Sequence, residues 1–133
     1  MKKLSYKQVI GSIAVTLMVG SLHAQEPDLG EPYRQCMDKA NTTLDMNGCI
    51  GDAMKEWDRH LNRLYRDKLS TLSASGQKSL RSAQRAWLKF RDHDCMAHSK
   101  MAEGGTLAGI LYGECLLKKT VTRSEELESM HLD

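Results

Sequence analysis

The chain has 133 residues, 19 basic and 17 acidic, and 41% are hydrophobic although only 5% are aromatic. Its formal net charge of +2 owes much to Lys2, Lys3 and Lys7 at the extreme N-terminus. Residues 25–133 hold sixteen basic against seventeen acidic side chains, a net charge of −1. One domain's length of nearly neutral chain argues against several domains and against a nucleic-acid binder held by phosphate electrostatics.

Residues 1–24 read as a secretory signal peptide. The three lysines supply its positive start, Val9 to Leu22 form an apolar stretch broken by Gly, Ser and Thr alone, and Ala24 is the small residue a cleavage site needs. The stretch is about 14 residues, short of the roughly 20 of a membrane-spanning helix. No cysteine stands at the cleavage site, so a lipid anchor is not expected. Residues 25–133 are therefore read as a single domain with no membrane span, placed in the periplasm or secreted.

Residues 25–31 form a lead-in, and Pro32 suits the first turn of a helix because its missing N–H has no intrahelical partner there. That helix, over about 32–40, carries Tyr33, Cys36, Met37 and Ala40 on one side. Asn41, Thr42 and Thr43 break it, and Thr42 with Asp45 three residues on resembles a capping box. In the second helix Met46, Ile50, Ala53, Trp57, Leu61, Leu64 and Leu72 recur at near-helical intervals. Gly48 and Gly51 weaken its start or admit close approach of the preceding helix. It is expected to end near Leu72, with Ser73 to Gly76 as the loop.

A third helix is expected from about Gln77 to Met101, with Leu80, Ala83, Trp87, Phe90 and Met96 as its buried stripe. Gly104 and Gly105 end it, since paired glycines accept the left-handed conformation of a helix terminus. Thr106 then caps a fourth helix carrying Leu107, Ile110, Leu111, Leu117, Val121 and Leu127. Nothing alternates with the period of a strand. The expected fold is all-α, a small antiparallel bundle of about four helices joined by short loops.

Four cysteines, Cys36, Cys49, Cys95 and Cys115, allow three pairings. Cys36 and Cys49 lie at similar distances either side of the Asn41–Thr43 break, and Cys95 and Cys115 either side of the glycine turn. On antiparallel helices rising about 1.5 Å per residue, each local pair meets at one height, as a disulfide requires. The pattern Cys36–Cys49 and Cys95–Cys115 is therefore expected, each bond stabilising by roughly 3 kcal/mol in the chain-entropy model.

Charge is unevenly placed. Residues 25–54 sum to −4 and residues 78–100 to +4, which suggests complementary packing or a two-signed surface. Gln84, Trp87 and Arg91 share one face of the third helix, and Thr120 and Arg123 lie three apart on the fourth. Two readings stand for them: a recognition patch around Trp87, since Trp and Arg are common interface anchors, or a buried hydrogen-bond cluster that fixes helix register. The second is preferred because buried polar groups must find partners. His93, Cys95 and His98 suggest a ligand cluster, but they lack a second close pair and an exported protein oxidises such cysteines. The run from Gly104 to Gly109 lacks the lysine and preceding strand of a phosphate loop. No paired carboxylates or nucleophile elbow stand out, so no catalytic residue, metal or cofactor is assigned, and a binding protein is expected in place of an enzyme.

Several fragments recur in one order: Tyr33-x-x-Cys36, Asp45-Met-Asn-x-Cys49, Trp57-Asp58-x-x-Leu61-Asn62-x-x-Tyr65, Ala83-Gln84-x-x-Trp87-x-x-Phe90-Arg91-Asp92-x-x-Cys95, Gly104-Gly105-Thr106, Cys115, and Thr120-x-x-Arg123-x-x-x-Leu127. Together they resemble the exported LprI-type family, whose domain is described as lysozyme-inhibitor LprI-like, over roughly residues 33–127. The resemblance implies a small helical, disulfide-stapled, exported domain that binds a protein partner, with lysozyme as the family's namesake target. The alternative is an envelope accessory module with no enzyme target. Candidate partner-binding residues are Glu103, Gly104, Gly105 and Thr106 at the turn, and Gln84, Trp87, Arg91 and Arg123 on the two helices beside it.

Overall fold

The computed structural model describes residues 26–102 and 104–130. The leader and Glu103 lie outside the described residues. Four helices and no strand occur among these residues: α1 (Glu31–Lys39), α2 (Thr43–Thr71), α3 (Ala74–Lys100) and α4 (Thr106–Ser129). The all-α expectation holds, and so do both disulfides: Cys36–Cys49 and Cys95–Cys115, with Cα atoms 5.6 and 5.4 Å apart.

Local chemistry sets the boundaries. Gly30 is the N-cap of α1, with its N–H on the Asp28 carboxylate at 2.9 Å. The Thr42 hydroxyl accepts from the Asp45 N–H at 3.1 Å while the Asp45 carboxylate accepts from the Thr42 N–H at 3.0 Å, completing the capping box. The α2–α3 connection is shorter than expected, just Leu72 and Ser73. Ser73 is itself the N-cap, accepting from the Gly76 N–H at 3.2 Å, which draws the expected loop residues into the first turn of α3. At the other end Gly104 (φ 92°) and Gly105 (φ 83°) adopt the left-handed region. Gly105, not Thr106, caps α4.

The three long helices run up, down and up, so that α3 is antiparallel to α2 and α4. The Cys95–Cys115, Arg91–Thr120 and Gln84–Arg123 pairs mark successive heights between α3 and α4. Between α2 and α4 the register ascends in parallel, from Ile50 beside Gly113 to Lys68, whose ammonium donates to the Met130 carbonyl. Helix α4 packs most extensively against α2 and then α3, whereas α2 and α3 meet sparingly. The short α1 folds back along the first half of α2 and has no buried residue.

Leu117, Val121 and Leu127 of α4 are fully buried, and Leu127 joins Leu61 and Leu80 in a core cluster edged by Leu64, Tyr65, Leu69, Leu72 and Trp87. Close α2–α4 approach depends on Gly113, where an added Cβ would stand 2.8 Å from Ile50 Cγ2. Gly48 and Gly51, the expected points of close approach, face open space. The stripe of α3 is also rotated from expectation. Leu80, Gln84, Cys95 and Ser99 are buried, whereas Ala83, Phe90 and Met96 are exposed. The positions facing α4 follow the helical repeat through 80, 84, 87, 91 and 95, and α4 offers polar partners there, so Gln84 and Arg91 occupy places an apolar count gives to Ala83 and Phe90. Leu107, expected in the core, projects from the first turn of α4 and is exposed.

Candidate functional site

Three features sit on this frame. The first is a polar cluster across the α3–α4 seam. Arg123 Nε donates to Gln84 Oε1 at 3.1 Å, and Arg91 Nη1 donates to Thr120 Oγ1 at 3.3 Å. The guanidinium carbons of Arg91 and Arg123 lie 5.2 and 5.9 Å from the centroid of the half-buried Trp87 ring. Each arginine keeps 12% of its side chain exposed and turns its outer edge to a carboxylate, Asp92 for Arg91 and Glu126 for Arg123. Thr120 and Ser124 are buried between them, their hydroxyls donating to backbone carbonyls four residues back at 2.8 and 2.9 Å. No fully buried side-chain polar atom of this seam lacks a hydrogen-bond partner.

The second feature is one end of the bundle. The antiparallel and parallel registers bring the α1–α2 turn, the start of α2, the end of α3 and the Gly104–Gly105 turn to the same end. Both disulfides lie in that half of the molecule. Thr106 is exposed, and so are three large apolar side chains at this end: Leu44 (80%), Met101 (79%) and Leu107 (55%). Thr106 and Arg123 are seventeen residues apart on α4, about 25 Å along the axis. The expected site residues thus fall into two separate groups, the seam and the turn.

The third feature was not foreseen from sequence. Between the lead-in, α1 and α2 lies a mainly apolar cavity of about 600 Å³. Leu29, Pro32 and Tyr33 form one wall, Ala53 and Trp57 the other, and the Cys36–Cys49 bond lies at its edge. Trp57 Nε1 donates to the Leu29 carbonyl at 3.2 Å, and the Tyr33 hydroxyl donates to Glu114 Oε1 at 3.1 Å. Burial, together with the Glu114 charge and hydrogen bond, pushes the Tyr33 phenol up to about 12. Trp57 reads as core in a periodicity count. The clue was Ala53, a small residue one turn before a large indole on the face that receives α1, which leaves a gap.

Asp94, His98 and Cys115 bring ligand atoms within 4.8 Å of one another. The Cys115 sulfur is bonded to Cys95, and the Asp94 carboxylate is held by Lys119 at 2.9 Å. No free cysteine occurs among the described residues.

A family model described as lysozyme inhibitor LprI matches residues 36–127, a span that includes both disulfides, the seam and the glycine turn. The chain belongs to the LprI family. It is also similar to an uncharacterized protein of Rhizobium meliloti (strain 1021), 28% identical over 113 residues, covering 75% of this chain and 81% of that protein. No solved structure matches. The LprI match begins at Cys36 and so omits the lead-in and the first half of α1, which form one wall of the cavity. No helix among the described residues is long and apolar enough to cross a membrane.

Proposed function

We propose that this LprI-family protein is an exported binding protein that inhibits a lysozyme-type muramidase by steric occlusion. The observation that carries the reading is the family match across residues 36–127, which spans the elements that form the stapled end. Two disulfides in one half of a small bundle cross-link the helices on either side of its two turns. A rigid protrusion loses little conformational freedom when it enters a cleft. Leu44, Met101 and Leu107 offer that end apolar contact area, and the turn Glu103–Thr106 is the segment proposed to reach across the cleft. The α3–α4 seam supports this end from behind, since its fully buried polar atoms already have partners within the chain. The protein acts as a binder and not as an enzyme, in the periplasm or outside the cell, where its disulfides persist.

The test is lysis of cell-wall substrate by lysozyme titrated with purified protein. Activity is expected to fall to its minimum near equimolar inhibitor, and a Met101→Glu/Leu107→Glu variant of unchanged helicity is expected to inhibit less well. Lysozyme activity untouched by a stoichiometric excess of the protein refutes the reading.

A further inference from the structure

The cavity between α1 and α2 has a chemical bias. None of its lining residues is basic, and two carboxylates, Asp52 and Glu56, stand one helical turn apart at its rim. Its interior is apolar, with the Tyr33 and Trp57 rings among the lining groups. The polar groups of those two rings are already engaged, Trp57 with the Leu29 carbonyl and Tyr33 with Glu114. The acceptors left for a guest are therefore the two rim carboxylates. These are held by exposed pairs within α2, Asp52 with Lys55 at 3.1 Å and Glu56 with Arg59. Pairs of that kind are weak and readily exchanged.

An apolar stem ending in a cation satisfies every part of this arrangement. The stem packs on Pro32, Ala53 and Trp57. The charge lies beside aromatic faces, which attract cations, and reaches the carboxylates. The volume falls within the range of small-ligand sites, roughly 300–1,000 Å³.

The geometry points to this cavity as a socket for an arginine or lysine side chain of the partner protein. The identity of that partner rests on the inhibitor reading above, whereas the affinity for a guanidinium or ammonium group does not. The socket supplies a second point of attachment beside the stapled turn, built from the same half of the molecule.

Nitrogen–proton correlation spectra of the labelled protein test the socket directly, with Nα-acetyl-arginine amide as probe and the neutral isostere Nα-acetyl-citrulline amide as control. The arginine probe is expected to shift the Trp57 indole N–H saturably and the citrulline probe to leave it in place. An Asp52→Asn/Glu56→Gln variant, altered at exposed positions alone, is expected to bind the arginine probe roughly five- to ten-fold more weakly. Asp38→Asn, which removes an acidic charge outside the cavity lining, is expected to leave binding unchanged. No saturable shift at Trp57, or equal shifts from both probes, overturns the socket whether or not lysozyme is inhibited. An arginine-specific shift in a protein that leaves lysozyme active keeps the socket and refutes the inhibitor reading. If lysozyme is inhibited, the Asp52→Asn/Glu56→Gln variant is expected to inhibit less well than Asp38→Asn.

Discussion

The two disulfides close loops of similar size, yet their removal is expected to have different consequences. With sequence separations of 13 and 20 residues, the chain-entropy model assigns each about 3 kcal/mol, the longer loop exceeding the shorter by about 0.4 kcal/mol. A cross-link contributes to global stability only so far as the element it fastens contributes. Helix α1 has nine residues and buries none of them. Ordering its backbone costs on the order of 1 kcal/mol per residue, so the roughly 3 kcal/mol of the Cys36–Cys49 bond is taken up within the ordering of α1 itself and covers only part of it. A Cys36→Ala/Cys49→Ala variant is therefore expected to release α1 while lowering the stability of the three long helices by less than about 1 kcal/mol. Cys95→Ala/Cys115→Ala severs the α3–α4 seam at a fully buried sulfur and is expected to lose about 3 kcal/mol or more. Urea denaturation followed by far-ultraviolet circular dichroism reads the global loss, and amide hydrogen exchange over residues 31–39 reads the release of α1. Equal losses of stability in the two variants would show that α1 belongs to the cooperative core and refute the argument.

In the seam, Arg123→Met leaves the buried Gln84 carbonyl without its donor and is expected to cost about 1–3 kcal/mol. Adding Gln84→Leu to it should recover part of that loss, and a urea-denaturation double-mutant cycle showing no coupling would contradict the pairing. Two glycines of α4 should respond oppositely to alanine in thermal melts. Gly113→Ala places a Cβ 2.8 Å from Ile50 Cγ2 and is expected to destabilise despite a propensity gain of about 1 kcal/mol. Gly109→Ala, whose Cβ comes no nearer than 3.9 Å to Asn47, is expected to keep most of that gain. Thr42 and the Asn41 and Thr42 amides hold the Asp45 carboxyl below its ordinary 3.8. A depressed folded value means that its stabilisation is present above pH 3.8 and is lost as pH falls through the lower folded value. Asp45→Asn should therefore flatten the acid limb of a melting temperature–pH profile, and an unchanged limb would show that the capping box does not contribute.

Elements defined by local chemistry were legible in the sequence. Thr42 and Asp45, the Gly104–Gly105 pair and the apolar repeat of α2 act within a few residues, and the cysteine spacing followed once helices were assumed. Side-chain burial on α3 was not legible, because hydrophobicity alone places Phe90 and Met96 inward. The deciding factor is the complementary surface of α4, with Thr120, Ser124 and Arg123, and no local pattern on α3 encodes it. The α2–α3 loop is shorter than composition suggests because Ser73 and Gly76, breakers by residue type, act here as a cap and its bonded partner. The cavity has no local sequence signature because it arises from how α1 docks across Ala53 and Trp57. That docking is fixed by the Cys36–Cys49 bond and two long-range hydrogen bonds.

The central position of α4 has a consequence for how the chain acquires its structure. Helices α2 and α3 meet sparingly, and each packs chiefly against α4, which follows them in the chain. A nascent chain that has made only α1, α2 and α3 lacks the surface on which those helices condense. It stays open until α4 has been made, and Cys95 waits for Cys115, which arrives with α4.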